Sequence, residues 1–174
     1  MADILWRIVD LGSNVGILFT WFILIAFLYN LSASINKVDK SRVHLLLIML
    51  VSYVSSLFMD TSTATPHLNY FYYDFVIIGI LLFWLFAYKK TVPTAFYYLI
   101  VGLSINAFLF LGMHYDIVIA ETRYYWWFWT VYVFGMYFID FTMALVLIIN
   151  KDILGLYKLS GWLRNNKFIK RNNG

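Results

Sequence analysis

Five long stretches of nearly unbroken apolar residues dominate this chain, at about 11–30, 43–59, 70–88, 92–114 and 124–150. Each is close to the roughly 20 residues a helix needs to cross a ~30 Å hydrocarbon layer. The runs do not alternate polar with apolar, and they are about twice as long as the ~10-residue strands of a membrane barrel. The pattern predicts an all-α fold. It is a polytopic integral membrane protein, a bundle of five transmembrane helices over residues 1–150, followed by a short basic tail, 151–174.

Polar residues punctuate the runs where such a bundle needs turns. SASINKVDKSR separates the first two runs and Asp60 ends the second. TSTATPHLN has the composition of a turn, with Pro66 discouraging helix just before it. Lys89 and Lys90 close the third run. Thr91 is suited to cap the fourth, and Pro93 fits its first turn because the missing N–H would be unpaired there. Asp116, Glu121 and Arg123 occupy a short loop before YYWWFW opens the fifth. At ~1.5 Å per residue that last run exceeds the bilayer core, so it is expected to tilt or protrude. MADILWRIVD has no basic stretch of the kind that opens a signal peptide, so the first run is expected to be retained as a helix.

Charge gives the bundle a direction. If the loops alternate sides, Lys37, Lys40, Arg42, Lys89, Lys90, Lys151, Lys158, Arg164, Lys167, Lys170 and Arg171 share one side. Only Arg7 and Arg123, of 13 basic residues, fall on the other. Because basic loops stay in the cytoplasm, the N-terminus is expected outside and the C-terminus inside, in a bacterial cytoplasmic membrane. An odd number of crossings agrees with five runs. In the tail, Ile153, Leu156, Tyr157, Leu159, Trp162 and Leu163 recur near helical spacing beside Lys158 and Arg164. This predicts a short amphipathic segment on anionic lipid, with Gly155 and Gly161 working against a continuous helix. Topology thus accounts for the net charge of +4, and no nucleic-acid partner is expected.

Composition narrows the chemistry. With 63% hydrophobic and 13% charged residues, a soluble fold of this size could not hide its apolar surface. The absence of cysteine excludes disulfides, thiolate catalysis and Cys-ligated metal. The chain has no GxGxxG and no P-loop.

The informative residues are polar ones inside the apolar runs, where an ionisable group is costly unless it faces protein or water. Asp140 lies about 20 Å from one end of its run and about 15 Å from the other. It is expected to be protonated, hydrated or bound to a cation. Ser52 and Tyr53 on the second run and Ser104 on the fourth share roughly its depth and are candidate supports. A second set is predicted to gather at the outer face: Asp60, His67, Asp74 about one turn into the third run, Asn106, His114 and Asp116, with Asn14 at the start of the first. His67, His114 and Asp74 are the weak metal candidates, a divalent cation being the ion such residues suit. No cofactor is otherwise predicted. His44 lies at the opposite end, beside Arg42. The aromatics Tyr124–Trp129 serve as an interfacial anchor or, with Tyr70, Tyr72, Tyr73 and Tyr115, wall a pocket for an apolar or cationic ligand.

The expected function is a small transport or channel component that handles a proton or cation through the outer acids and Asp140. Two alternatives stand beside it. One is a non-enzymatic membrane partner protein, a complex subunit or immunity-type protein, acting through lateral helix contacts. The other is a small intramembrane enzyme on a lipid substrate. The expected partners are membrane lipids, a second copy of the chain in a homo-oligomer, or another integral membrane protein.

Overall fold

The structure is a computed structural model that describes residues 12–59, 63–88, 92–122, 124–149 and 151–158, with side chains from residue 15 onward. Asp60, the Asn14 side chain, Thr91, Arg123 and the tail from residue 159 lie outside the described residues. The described chain is helical throughout. In order the helices are α1 (Gly12–Ala33), α2 (Ser41–Ser56), α3 (Pro66–Ala87), α4 (Thr94–His114) and α5 (Trp127–Ile149), with a π-helical turn at Tyr115–Ile119. Four segments are long and apolar enough to cross a membrane: Val15–Ala33, Pro66–Ala87, Thr94–Ile119 and Trp127–Ile149. With these four, the chain is an integral membrane protein with a helical bundle.

The helix ends depart from the sequence pattern where local chemistry extends or shortens a run. α3 starts at Pro66, not near residue 70, because proline loses nothing at a first helical position. α4 starts after Pro93, whose extended backbone (φ −68°, ψ 151°) precedes the first turn and does not join it. The segment expected as an acidic loop after His114 stays helical, widened into a π turn that the Ala120 N–H closes onto Tyr115 O at 2.9 Å. Glu121, at φ 49°, then reverses the chain. α2 has 16 residues and tightens at its end, where Leu57, Phe58 and Met59 donate to carbonyls three residues back.

Helices adjacent in sequence pack together, and α5 closes back on α1, so the five form a ring. α4 is the most enclosed: half of its most apolar window is buried, against 22% for α1 and α5 and 17% for α3. The outward faces of the other helices are strongly apolar, with Trp21, Phe83, Phe86 and Phe138 each more than 60% exposed, as a lipid-facing surface requires. The core lies toward one end. Leu45, Leu46 and Met49 of α2, Leu99 and Leu103 of α4, and Met143, Val146 and Leu147 of α5 fill it almost without exposure. Small residues set the closest approach, since Gly102 of α4 sits directly against Met143 of α5.

After α5 the chain turns at Gly155, whose φ of 74° is a left-handed conformation that glycine adopts without a Cβ clash. The Asp152 carboxylate holds this turn. It accepts from the Tyr98 hydroxyl at 2.7 Å and from the backbone N–H groups of Tyr157 (3.3 Å) and Lys158 (3.2 Å), while Tyr157 packs edge-on against Tyr97. The start of the tail is thus docked on α4. The remainder of the predicted amphipathic segment lies outside the described residues.

Candidate functional site

Opposite the apolar core the ring encloses open space. A cavity of about 650 Å³ is lined by residues from all five helices. α1 contributes its first turns (Val15, Gly16, Phe19), α2 its last (Tyr53, Ser56, Met59), and α3 its first (His67, Tyr70). Phe110 of α4 and Tyr132, Met136, Tyr137 and Asp140 of α5 complete the wall. It lies at the end of the bundle where α1, α3 and α5 begin, and it reaches inward as far as Asp140. Beyond Asp140 lies the buried core around Met143, Val146 and Leu147.

The aromatic wall is ordered by ring contacts. Tyr70 stacks on Phe110 with ring centres 5.1 Å apart, and Tyr132 meets Phe110 edge-on at 6.0 Å. His67 stands edge-on to Tyr132 at 5.7 Å, with Nδ1 3.5 Å from the tyrosine hydroxyl. These rings leave a polar floor at Asp140.

A smaller chamber of about 120 Å³ adjoins the first, sharing Tyr53, Ser56, Tyr70, Phe110, Met136 and Asp140 as walls. Asp74, Asn106, Ser52 and Tyr73 line it from the other side. Asn106 Nδ2 donates to Asp140 Oδ1 at 2.9 Å, tying α4 to α5. The Tyr53 side chain stands beside the same carboxyl. Tyr73 donates its hydroxyl to the Ser52 carbonyl at 2.7 Å, which links α3 to α2. Asp74 and Asn106 are buried, yet Asp74 Oδ2 and Asn106 Oδ1 have no hydrogen-bond partner. None of the residues lining this chamber is basic.

The predicted site residues therefore separate into groups. Asp74 lies about 12 Å into α3, since the helix begins at Pro66, and it shares the inner chamber with Asp140 instead of sitting at the mouth. Asn106, expected with the outer set, is the direct partner of Asp140. Of the candidate supports for Asp140, Tyr53 and Ser52 line the chamber, whereas Ser104 turns its hydroxyl to its own helix, on Ile100 O at 2.7 Å. Serine satisfies itself on the preceding turn when no neighbour reaches it.

His67 lines the outer cavity within electrostatic reach of His114, whose Nδ1 is buried without a partner. Asp116 faces away from both cavities. It is buried and accepts the indole N–H groups of Trp126 at 3.0 Å and Trp129 at 2.6 Å. The YYWWFW segment thus divides its work: Trp126 and Trp129 turn inward to Asp116, while Tyr124 and Trp127 are 72% and 66% exposed. No group of three His, Cys, Asp or Glu side chains placed to hold a metal ion occurs among the described residues.

Tyr73, Phe110, Met136 and Tyr137 escaped the sequence reading of the Asp140 neighbourhood. Spacing carried a signal for most of them. Tyr132, Met136 and Asp140 recur every four residues on α5, as do Asn106, Phe110 and His114 on α4. Tyr70, Tyr73 and Asp74 share one face of α3, and Met49, Ser52, Tyr53 and Ser56 one face of α2.

Fold and site together define a small integral membrane protein with an interior, partly polar cavity. Comparison with known proteins adds nothing further, since no family model, no curated protein and no solved structure matches the chain.

Proposed function

We propose that this protein is a small membrane transport or channel component that takes a proton or cation from the open end of the bundle to Asp140. One observation carries the reading: a cavity of about 650 Å³, walled by all five helices, ends on a carboxyl group near the middle of α5. An acid at that depth is expensive and is kept where it meets water, a proton or an ion. The aromatic walls suit passage of a cation, because ring faces carry negative potential. The apolar core beyond Asp140 acts as the closed gate, so transport requires the helices to repack at that end.

The reading includes five crossings, with α2 as the short one, extended by its tightened last turn to Met59. It places the basic loops and tail in the cytoplasm of a bacterial cell and the cavity mouth outside. The protein works with lipid around it, alone or as a homo-oligomer. A divalent ion at His67, His114 and Asp74 is not part of the proposal, because Asp74 lines the inner chamber and neither histidine does.

Flux in proteoliposomes tests the proposal, measured under proton, alkali-cation and solute gradients together with oligomer size in detergent. Asp140→Asn and Asp140→Leu are both expected to abolish flux, with Asp140→Asn keeping the wild-type size. Unchanged flux with altered size in both variants would replace transport by the partner-protein reading. So would the absence of flux in the wild type under every gradient.

A further inference from the structure

We infer that the inner chamber between Asp74, Asn106 and Asp140 is a binding site for a monovalent alkali cation. This deepens the transport reading and rests on it for the physiological role, though the site itself can be tested without flux.

Three features of the chamber lead there. The first is its donor set. Asp74 Oδ2 and Asn106 Oδ1 are buried oxygens with no hydrogen-bond partner, on side chains more than nine-tenths buried that line the chamber. Asp140, Ser52, Ser56 and Tyr53 line it with them, the Ser56 hydroxyl donating to Tyr53 O at 2.8 Å. Their side chains carry oxygens, which hard cations take in preference to nitrogen or sulfur. Asn106 serves both sides: its N–H holds Asp140, and this leaves its carbonyl oxygen free for the chamber.

The second feature is size. At about 120 Å³ the chamber is too large for a bare ion alone. With roughly 30 Å³ per water, it holds an ion and a few waters.

The third is charge. Two carboxyls face this space with no basic residue lining it. Water alone would satisfy the unpaired oxygens but would leave the charge uncompensated. Like charges lining one small chamber oppose each other's ionisation, so the pair favours one shared proton and a single negative charge. That charge matches a monovalent ion. The titratable groups around the pair are Tyr53 from α2, Tyr70 and Tyr73 from α3, and Tyr132 and Tyr137 from α5, with His67 of α3 further out in the larger cavity. Protons and the cation compete for the two carboxyls.

Radioactive sodium binding to the purified full-length protein, with N-methylglucamine chloride holding ionic strength constant, tests the site. Wild type is expected to bind sodium saturably, with binding weakened at least tenfold as pH falls from 8 to about 5. Asp74→Leu, which removes both carboxyl oxygens from the chamber, is expected to weaken sodium binding at least tenfold, and Asn106→Leu by a similar factor, while Asp116→Asn keeps wild-type affinity. Gel-filtration profiles establish that the variants are folded. Should a variant fail to fold, the wild-type competition between sodium and protons still decides. Saturable binding absent in the wild type overturns the site, and so does binding indifferent to pH or unchanged in folded Asp74→Leu. Proton flux without sodium binding would overturn this site and leave the transport reading intact. Sodium binding without any flux would do the reverse.

Discussion

Gly102 is where a single methyl group should disturb both the packing and the site. A Cβ placed on it would lie 2.5 Å from Met143 Sδ, 2.8 Å from Met143 Cγ and 3.2 Å from Ile139 Cγ2. Ordinary contact begins at 3.4 Å, so the difference of about 0.9 Å must come from movement of α5 or of Met143. Met143 is 2% exposed and packed within the core, which leaves it little room to swing aside. Asn106 follows Gly102 by one turn on α4, and Asp140 lies next to Ile139 on α5. A separation of 0.9 Å would therefore lengthen their 2.9 Å hydrogen bond to about 3.8 Å, beyond hydrogen-bonding range.

Overpacking of this kind costs about 1–3 kcal/mol. A lost hydrogen bond between membrane helices adds roughly 0.6 kcal/mol, at most about 1.7. Gly102→Ala is thus expected to lose on the order of 2–4 kcal/mol. Reversible unfolding by SDS in mixed micelles, followed by tryptophan fluorescence, measures the loss. Truncating the clashing side chain should relieve it, so Gly102→Ala with Met143→Ala should be more stable than the two single losses predict. A Gly102→Ala variant within ~0.5 kcal/mol of wild type, or a strictly additive pair, would refute the reasoning.

Three further expectations concern other parts of the molecule. Asp116→Ala strands the indole N–H groups of Trp126 and Trp129, so stability should fall by about 1–3 kcal/mol with a change in tryptophan emission; a variant that melts like wild type would show that the clamp contributes little. Burial raises the Asp152 carboxyl, but hydrogen bonds from Tyr98 and from the Lys158 and Tyr157 N–H groups outweigh it and hold the group below the usual carboxylate range. Its stabilisation of the docked turn is therefore present above the unfolded value near pH 4 and fades as pH falls through the lower folded value, which amide exchange at Tyr157 and Lys158 should reveal, Asp152→Asn losing the dependence. For topology, cysteines replacing Ala64 and Glu121 should react with an impermeant thiol reagent on intact cells, and one replacing the exposed Val38 only after permeabilisation; labelling of all three from one side would exclude five crossings.

The residues alone determined that the chain is helical, that it belongs in a membrane, and roughly how deep each polar group lies. Those properties depend on the run of neighbours along one helix: an unbroken apolar stretch must hide its backbone polar groups, and rise per residue converts position into depth. Asp140 was legible for that reason. Boundaries were less so, because Pro66 is read as a breaker in a linear scan but starts a helix once its N–H has no partner to lose. The four-residue error moved Asp74 from the mouth to the inner chamber.

Only the tertiary structure decided which side chains meet. Asn106 pairs with Asp140 and Ser104 does not, although both lie on α4 within a turn of the same depth. Trp126 and Trp129 turn to Asp116, whereas Trp127 between them faces outward. The rotation of each helix about its axis settles such choices, and that rotation is set by all five helices packing at once. With an apolar solvent outside, hydrophobicity no longer marks the inward face as it does in water, so shape and polar pairing make the choice instead.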